Sequence, residues 1–263
     1  MYRKAAVKGY FYPDNLNELT SFFSKHAYDG EKIDGIMAIV PHAGYTYSGV
    51  TAVKTISRLN LKDKILLLGP NHTGFGERVA LYPEGEWETP FGDVKISRDL
   101  NSRLLNISYI KEDIIAHVRE HSLEVILPML KYFKKDFSFS AITMMPIRYE
   151  ECINLAQEIY ENIKDENITI IVSSDFNHYE NAEITEKKDM LAIKQILNMD
   201  SKELYDTVFE KDISMCGIYP AIVGIEIAKR FGANNSLLVE HTHSGVVNSD
   251  FSQVVGYAGI IIY

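Results

Sequence analysis

Short apolar runs alternate along the chain with longer amphipathic runs whose hydrophobic positions recur every three or four residues. Runs that are apolar throughout, such as residues 65–68, are typical of strands buried on both faces, and the amphipathic runs are typical of helices. This pattern predicts strands at residues 35–40, 64–68, 78–82, 137–145, 168–172, 236–240 and 254–262. It predicts helices at residues 15–25, 48–59, 98–105, 121–133, 149–163, 183–197, 201–209 and 217–230.

The order of these elements indicates the fold class. Strands separated by helices of about ten residues or more need crossover connections, which produce a mainly parallel sheet. No linker, repeat or low-complexity tract divides the sequence. We therefore expect an α/β fold, with residues 1–263 forming a single three-layer α/β/α domain around a central, mostly parallel sheet. The loop-rich stretch at residues 71–92, interrupted only by one short strand, is the kind of segment that often carries function.

Composition narrows the possible settings and partners. Hydrophobic residues make up 46% and charged residues 24%, which is usual for a soluble globular protein. The net charge of −9 argues against nucleic acid or an anionic membrane as the main partner. No apolar run approaches the ~18 residues of a membrane span, and the N-terminus has no signal-peptide pattern. With only two cysteines, no disulfide framework is expected, and the reducing cytoplasm is the expected compartment.

Three histidines follow three different predicted strands. His42 comes after Ile-Val-Pro, His72 after Leu-Gly-Pro-Asn, and His178 after Ser-Ser-Asp-Phe-Asn. Ligands of open α/β sheets bind beyond the carboxyl ends of the strands, so these side chains can converge on one site. For each histidine alone, turn chemistry is the favoured explanation, since Ser, Asn, Asp and Gly are ordinary turn formers. Taken together they favour a site.

Other candidate groups lie around these strand ends. Cys216 precedes a predicted helix, where a thiol can act as a nucleophile or metal ligand, although a free cysteine is more often a small buried hydrophobe. Cys152, on an amphipathic helix, is expected to be such a hydrophobe. The string from His117 to His121 matches a His-x-x-Glu-His zinc pattern, but it is short and has no clear third ligand. His241 and the histidine two residues later alternate along a strand and therefore share one face.

These motifs resemble the Memo family, named for a mediator of receptor-driven cell motility, whose prokaryotic members are called AmmeMemoRadiSam system protein B. Six motifs occur in the family's order and span nearly the whole chain, which makes the resemblance specific. They are Pro-His-Ala-Gly-Tyr-Thr-Tyr-Ser-Gly at 41–49, Gly-Pro-Asn-His-Thr-Gly at 69–74, Trp-Glu-Thr-Pro-Phe-Gly at 87–92, Glu-His-Ser-Leu-Glu at 120–124, Ser-Ser-Asp-Phe-Asn-His at 173–178 and Cys-Gly at 216–217.

The resemblance implies a fold like that of the class III extradiol, protocatechuate 4,5-dioxygenase-type enzymes, which hold iron(II) with two histidines and a glutamate. It implies that His42 and His72 are metal ligands, that Cys216 stands where the glutamate stands, and that His178 is the acid/base. We expect Asp175 to orient His178 or a metal-bound water. Iron(II) or copper is the favoured metal and zinc is possible, because a thiolate is softer than a carboxylate. The residues expected to bind substrate or support the site are Tyr45, Asn71, His121, Glu124 and His241.

Three functions remain open from the sequence. One is a metal-dependent redox enzyme of unknown substrate. Another is a non-catalytic adaptor that binds a small molecule or peptide on a dioxygenase scaffold. The third is a zinc hydrolase using His178 or Glu124 as its base. The prokaryotic family name also suggests association with a radical-SAM protein and an AMMECR-type protein, and neither nucleic acid nor a membrane is expected as a partner.

Overall fold

The computed structural model describes residues 1–263 and contains one twelve-stranded mixed sheet flanked by helices. The strands are β1 (Tyr2–Arg3), β2 (Met37–Val40), β3 (Lys64–Pro70), β4 (Val79–Leu81), β5 (Glu86–Trp87), β6 (Val94–Ile96), β7 (Lys111–Glu112), β8 (Ser138–Met144), β9 (Ile168–Ser173), β10 (His178–Glu180), β11 (Ser236–His243) and β12 (Val254–Ile262). The helices are α1 (Leu16–His26), α2 (Tyr45–Ile56), α3 (Arg98–Leu104), α4 (Ile115–Val118), α5 (Leu127–Phe133), α6 (Tyr149–Ile163), α7 (Ala182–Leu197), α8 (Ser201–Glu210), α9 (Ile218–Arg230) and α10 (Gly245–Asn248).

The centre of the sheet is parallel, as the sequence predicts. The strand order is β1-β5-β6-β8-β3-β9-β2-β12-β10, and β8, β3, β9 and β2 run parallel to one another. β12 runs antiparallel to β2 and also pairs with β11, while β4 pairs with β8 and with β7. The prediction of an α/β fold with a mostly parallel sheet is therefore confirmed.

Alternating side chains of the central strands build two cores, one on each face of the sheet. In β3, Leu66 and Leu68 pack into the larger core, whereas Ile65 and Leu67 pack into the smaller one. The larger core is covered by α3, α6, α7, α8 and α9, and the smaller by α1, α2 and α5. Burying each such aliphatic side chain stabilises the fold by roughly 1.5–3 kcal/mol. This two-faced burial explains why the strands are apolar throughout.

Two predicted helices begin elsewhere than expected. α2 begins at Tyr45 rather than at residue 48, so Ser48 lies inside the first turns, where its hydroxyl donates to Ala43 O. The helix predicted from residue 121 is a 3₁₀ turn at Glu124–Ile126 followed by α5. Pro128 lies in the first turn of α5, where its missing N–H is tolerated; deeper inside a helix its ring would clash with the preceding turn.

The segments that the pattern did not predict are short. They are β1, β5, β6, β7 and β10, of two or three residues each, and the four-residue helices α4 and α10. The stretch at residues 71–92 contains β5 in addition to the predicted short strand, here β4. None of the helices combines the length and apolar character needed to cross a membrane.

Candidate functional site

Three neighbouring strands end at one edge of the sheet and bring their polar tails together. The order β3-β9-β2 places the segment after β9 between those after β3 and β2. His72 follows β3, Asp175 follows β9, and His42 follows β2. Beneath them, Ser173 closes β9. The strand order thus brings the residues that follow these strands close together, as the sequence predicts for His42 and His72.

His42, His72 and Cys216 form a compact group of donor atoms. One ring nitrogen of each histidine and the Cys216 sulfur all lie within 4.8 Å of one another. Cys216 Sγ is 3.4 Å from His42 Nε2, and the two imidazole rings are 5.1 Å apart between centroids. The ligand atoms of a tetrahedral ion with bonds of about 2.0–2.3 Å lie about 3.5 Å apart. The spacing of these donors therefore fits a metal ion.

Cys216 reaches this group because the chain turns sharply before α9. Gly217, the residue before α9, lies directly against the end of β9: a Cβ at this position would meet Ser174 Cβ at 2.4 Å and Ser173 O at 2.6 Å. The Gly217 N–H donates to Ser174 Oγ, and the Asp175 N–H points to Cys216 Sγ at 3.3 Å. The absence of a side chain at Gly217 lets the thiol approach the histidines.

Burial sets the protonation of the deepest groups. The pKa of His42 is held well below its ordinary value by burial, and then by the neighbouring His72. Burial, and next the nearby Asp175 carboxyl, raise the pKa of the Cys216 thiol well above its usual range. Both groups are therefore neutral at pH 7. A metal ion taken up here must displace the thiol proton, as is general for cysteine ligands.

Asp175 supports His42 rather than His178. Its Oδ1 accepts the His42 N–H at 2.8 Å, and its Oδ2 is 4.0 Å from His42 Nε2. Burial raises its pKa to about 7. Because no hydrogen bond joins Asp175 to His178, the expectation that it orients that ring is not met. Its second oxygen instead faces the space beside His42.

His178 lies beside the donor group and is held by a different loop. Its backbone N–H donates to Ser214 Oγ at 2.7 Å, and its Nδ1 is 2.9 Å from Ser214 O, so Nδ1 carries the proton and Nε2 does not. Burial lowers the pKa of His178, with its backbone hydrogen bonds opposing that shift. A positive charge on the His178 ring would lower the pKa of His42 further. The ring is thus neutral and able to accept a proton at Nε2.

His121 and Glu120 complete the cluster. The His121 ring lies 4.7 Å from that of His72 and 5.4 Å from that of His42, between centroids, and packs on Phe11. Glu120 is buried and accepts from His72 Nδ1 at 2.9 Å and from the His72 N–H at 2.6 Å. Burial alone would raise the pKa of Glu120, but these bonds and the Ser122 N–H hold it at about 2. The sequence places Glu120 in the zinc-like string and in the family motif at 120–124 but does not predict its contact with His72, which spans 48 residues.

Four residues expected to support the site, Tyr45, Asn71, His241 and Glu124, have other contacts, those of Glu124 being with the N-terminal segment. Tyr45 is buried and donates to Val125 O, and Asn71 shapes its own loop by accepting the Thr73 and Gly74 N–H groups. His241 pairs with the buried Asp189 of α7 at 2.8 Å. Of the five supporting residues expected, only His121 lies in the cluster.

Glu124 anchors the N-terminal segment. Its carboxylate accepts from Arg3 Nη1 at 2.7 Å, from the Ala6 and Val7 N–H groups and from Tyr12 Oη at 3.0 Å. With its oxygens occupied by these donors, Glu124 cannot serve as the base of a hydrolase. It joins the start of the chain to the turn before α5 instead.

The zinc-like string does not form a helical site. α4 ends at Val118, before Glu120, and His117 is directed away from His121 into an aromatic cluster with Tyr82 and Trp87. His117 Nε2 donates to Ala80 O at 3.1 Å. His117 is therefore a core histidine, and Cys152 is buried in the larger core as expected.

Comparison of the sequence and the structure with known proteins identifies the family of this chain. The structure resembles that of an uncharacterised protein from Escherichia coli K12 with a TM-score of 0.54 at 10% identity, covering 86% of this chain and 99% of that one, which shows the fold alone. A MEMO1 family protein of Aquifex aeolicus is 40% identical over 262 residues, and one of Saccharolobus islandicus is 39% identical over 278, with 98% of each chain covered in both comparisons. Another from Thermoplasma volcanium is 38% identical over 268 residues, covering 99% of this chain and 98% of that protein. The family model described as Memo-like protein matches residues 3–261, and the chain belongs to the Memo family.

Proposed function

We propose that this protein holds one metal ion with His42, His72 and Cys216 and uses it as a redox centre. The observation that supports the proposal is the grouping of three donor atoms within 4.8 Å, contributed by three chain segments that are far apart in sequence. Two imidazoles and one thiolate leave coordination positions open for a substrate. Iron or copper bound there would supply one-electron chemistry to a substrate in that position.

The remaining residues have distinct tasks in this proposal. His178 takes a proton from the substrate at its Nε2, since its Nδ1 proton is committed to Ser214 O. Asp175 holds the backbone of His42 and presents its second oxygen toward the same space. Substrate approaches from the side of His72 and His121, whose side chains are 33% and 23% exposed, because the His42 side chain is only 2% exposed.

The deciding experiment measures metal content in protein purified without oxygen. Replacing His42, His72 or Cys216 with Ala should lower metal occupancy at least tenfold, whereas His178→Ala should keep most of the metal and abolish oxygen consumption. Asp175→Asn should cause a milder loss of turnover than His178→Ala. Cys152→Ala is the matched control for Cys216→Ala, since Cys152 is a free cysteine in the core, and it should retain full occupancy.

Each alternative has its own outcome in this experiment. Bound zinc without oxygen reactivity would favour a hydrolase. Protein that binds no metal in its wild-type form would favour an adaptor. Equal metal loss in His178→Ala and His42→Ala would show that the division between ligand and base is wrong.

A further inference from the structure

The segment from Glu120 to Ser122 is connected to both histidines of the proposed metal site, directly to His72 and through one serine to His42. The Glu120 side chain contacts His72, and the Ser122 carbonyl contacts Ser173, which in turn contacts His42. All these groups except His72 are buried. One short segment therefore reaches the Nδ1 atom of His72 directly and that of His42 through Ser173.

The proton on His42 can be located from the hydrogen bonds of Ser173. The Ser173 hydroxyl has a single hydrogen, which it donates to Ser122 O at 2.7 Å. Ser173 Oγ is also 2.6 Å from His42 Nδ1, and since its only hydrogen is already used, it can only accept a hydrogen bond from that nitrogen. His42 therefore carries its proton on Nδ1, and its Nε2, facing Cys216, has a free lone pair.

The proton on His72 follows from Glu120. Both Glu120 oxygens accept backbone N–H groups and so act as hydrogen-bond acceptors, which places the proton of the 2.9 Å contact on His72 Nδ1. The second Glu120 oxygen accepts the His72 backbone N–H, which fixes the ring and its backbone together. The first oxygen also accepts the N–H groups of His121 and Ser122, both at 3.0 Å.

We infer that Glu120 and Ser173 are positioning residues that keep the proton on Nδ1 of His72 and His42 and leave both Nε2 atoms free to bind metal. The inference rests on the proposed function for the metal, but the placement of the protons belongs to the metal-free protein. Partners of this kind typically change metal affinity by about 10–100-fold when removed.

The hydrogen bonds of Glu120 argue against a competing interpretation, in which Glu120, His72 and His121 bind a second ion of their own. Their donor atoms are close enough for that. However, the Glu120 oxygen nearest to them already accepts three N–H groups, and the other accepts a fourth. The oxygen nearest to the two rings has no lone pair left for a cation, so these contacts favour Glu120 acting on the His72 ring over its binding a second metal.

The test is the protonation state of each ring in metal-free protein labelled with ¹⁵N-histidine, read by NMR. Wild-type protein should show Nδ1–H on both His42 and His72. Glu120→Gln should give His72 a mixture of Nδ1–H and Nε2–H and leave His42 unchanged. Ser173→Ala should do the reverse. Each variant should also bind zinc or iron about 10–100-fold more weakly in competition with a chelator.

Glu124→Gln is the matched control. Glu124 is also a buried glutamate that accepts backbone N–H groups, but it contacts no histidine. This variant should lose stability without changing either tautomer. A proton on Nε2 in the wild-type protein, or unchanged tautomers in both variants, would overturn the inference. Tautomers that shift as expected in a protein that binds no metal would instead overturn only the proposed function.

Discussion

At the scale of single residues, hydrogen-bond partners far away in sequence decide what each side chain does. Glu120 and Glu124 are four residues apart and share the same motif, yet one binds a histidine of the candidate site and the other binds Arg3. His117 shows the same division, since it belongs to a string that matches a zinc pattern but lies in an aromatic core. The type of residue limits the possible chemistry, and the partner selects among the possibilities.

His117 should make the protein less stable in acid. Burial lowers its pKa to about 3, whereas an unfolded histidine titrates near 6.5. Between these values the unfolded chain binds a proton that the folded protein does not. This residue therefore removes about 1.4 kcal/mol of stability for each pH unit below about 6.5, until the pH reaches its folded pKa.

Replacing His117 with Phe should remove this part of the pH dependence. The variant loses the bond to Ala80 O, which costs about 1 kcal/mol at every pH, but its stability should fall less steeply between pH 6 and pH 4. Urea unfolding at several pH values measures the slope. Tyr82→Phe, in the same aromatic cluster, should keep the wild-type slope. Parallel slopes for His117→Phe and wild type would contradict the prediction.

At the scale of secondary-structure elements, helices and strands of sufficient length follow the hydrophobic pattern closely. α6 begins and ends where the pattern predicts, and β12 does too. The missed strands have two or three residues, which is too short for an alternation to be visible. They form because neighbouring chain supplies their hydrogen bonds, as β5 does for β1. The junctions between elements matter most here, since the site lies at strand ends and at the start of α9.

Gly217→Ala should disturb the site through packing alone. The added Cβ would lie under 3 Å from the end of β9, so Cys216 or that strand end has to move. We expect a loss of about 1–3 kcal/mol in the free energy of unfolding and a several-fold loss of bound metal. Gly44→Ala, two residues after His42, is the control because its nearest neighbour would be at 3.5 Å. Full metal content in Gly217→Ala would show that the close approach is not needed.

At the scale of the whole molecule, one continuous sheet carries both cores and the site. The N-terminal segment is joined to the turn before α5 by Glu124, and β1 extends the sheet edge beside β5. The site lies where three central strands end, so its geometry depends on the sheet rather than on a mobile loop. This connectivity predicts that residues 1–263 unfold as one unit.

Thermal unfolding should therefore show a single transition. Trp87, the only tryptophan, lies on β5 near one edge of the sheet, whereas far-ultraviolet circular dichroism reports all the helices. The two signals should change at the same temperature, and limited proteolysis should give no stable fragment. Two separated transitions, or a resistant fragment of about half the chain, would indicate two domains.

The sequence by itself determined the fold class, the main elements and the histidines that converge, because hydrophobic periodicity and the position of polar residues after buried strands are local properties. It also limited the possible ligands to a few residue types. Only the tertiary structure decided which polar residues meet: Glu120 with His72, Ser173 with His42, and Asp175 with the His42 backbone rather than with His178. These contacts span from 48 to 133 residues and depend on strand order and on directed hydrogen bonds. Strand order and directed hydrogen bonds produce no recurring pattern of residues in the sequence. For this reason the sequence predicted Glu124 and Tyr45 near the site, whereas in the structure Glu124 binds the N-terminal segment and Tyr45 donates to Val125 O.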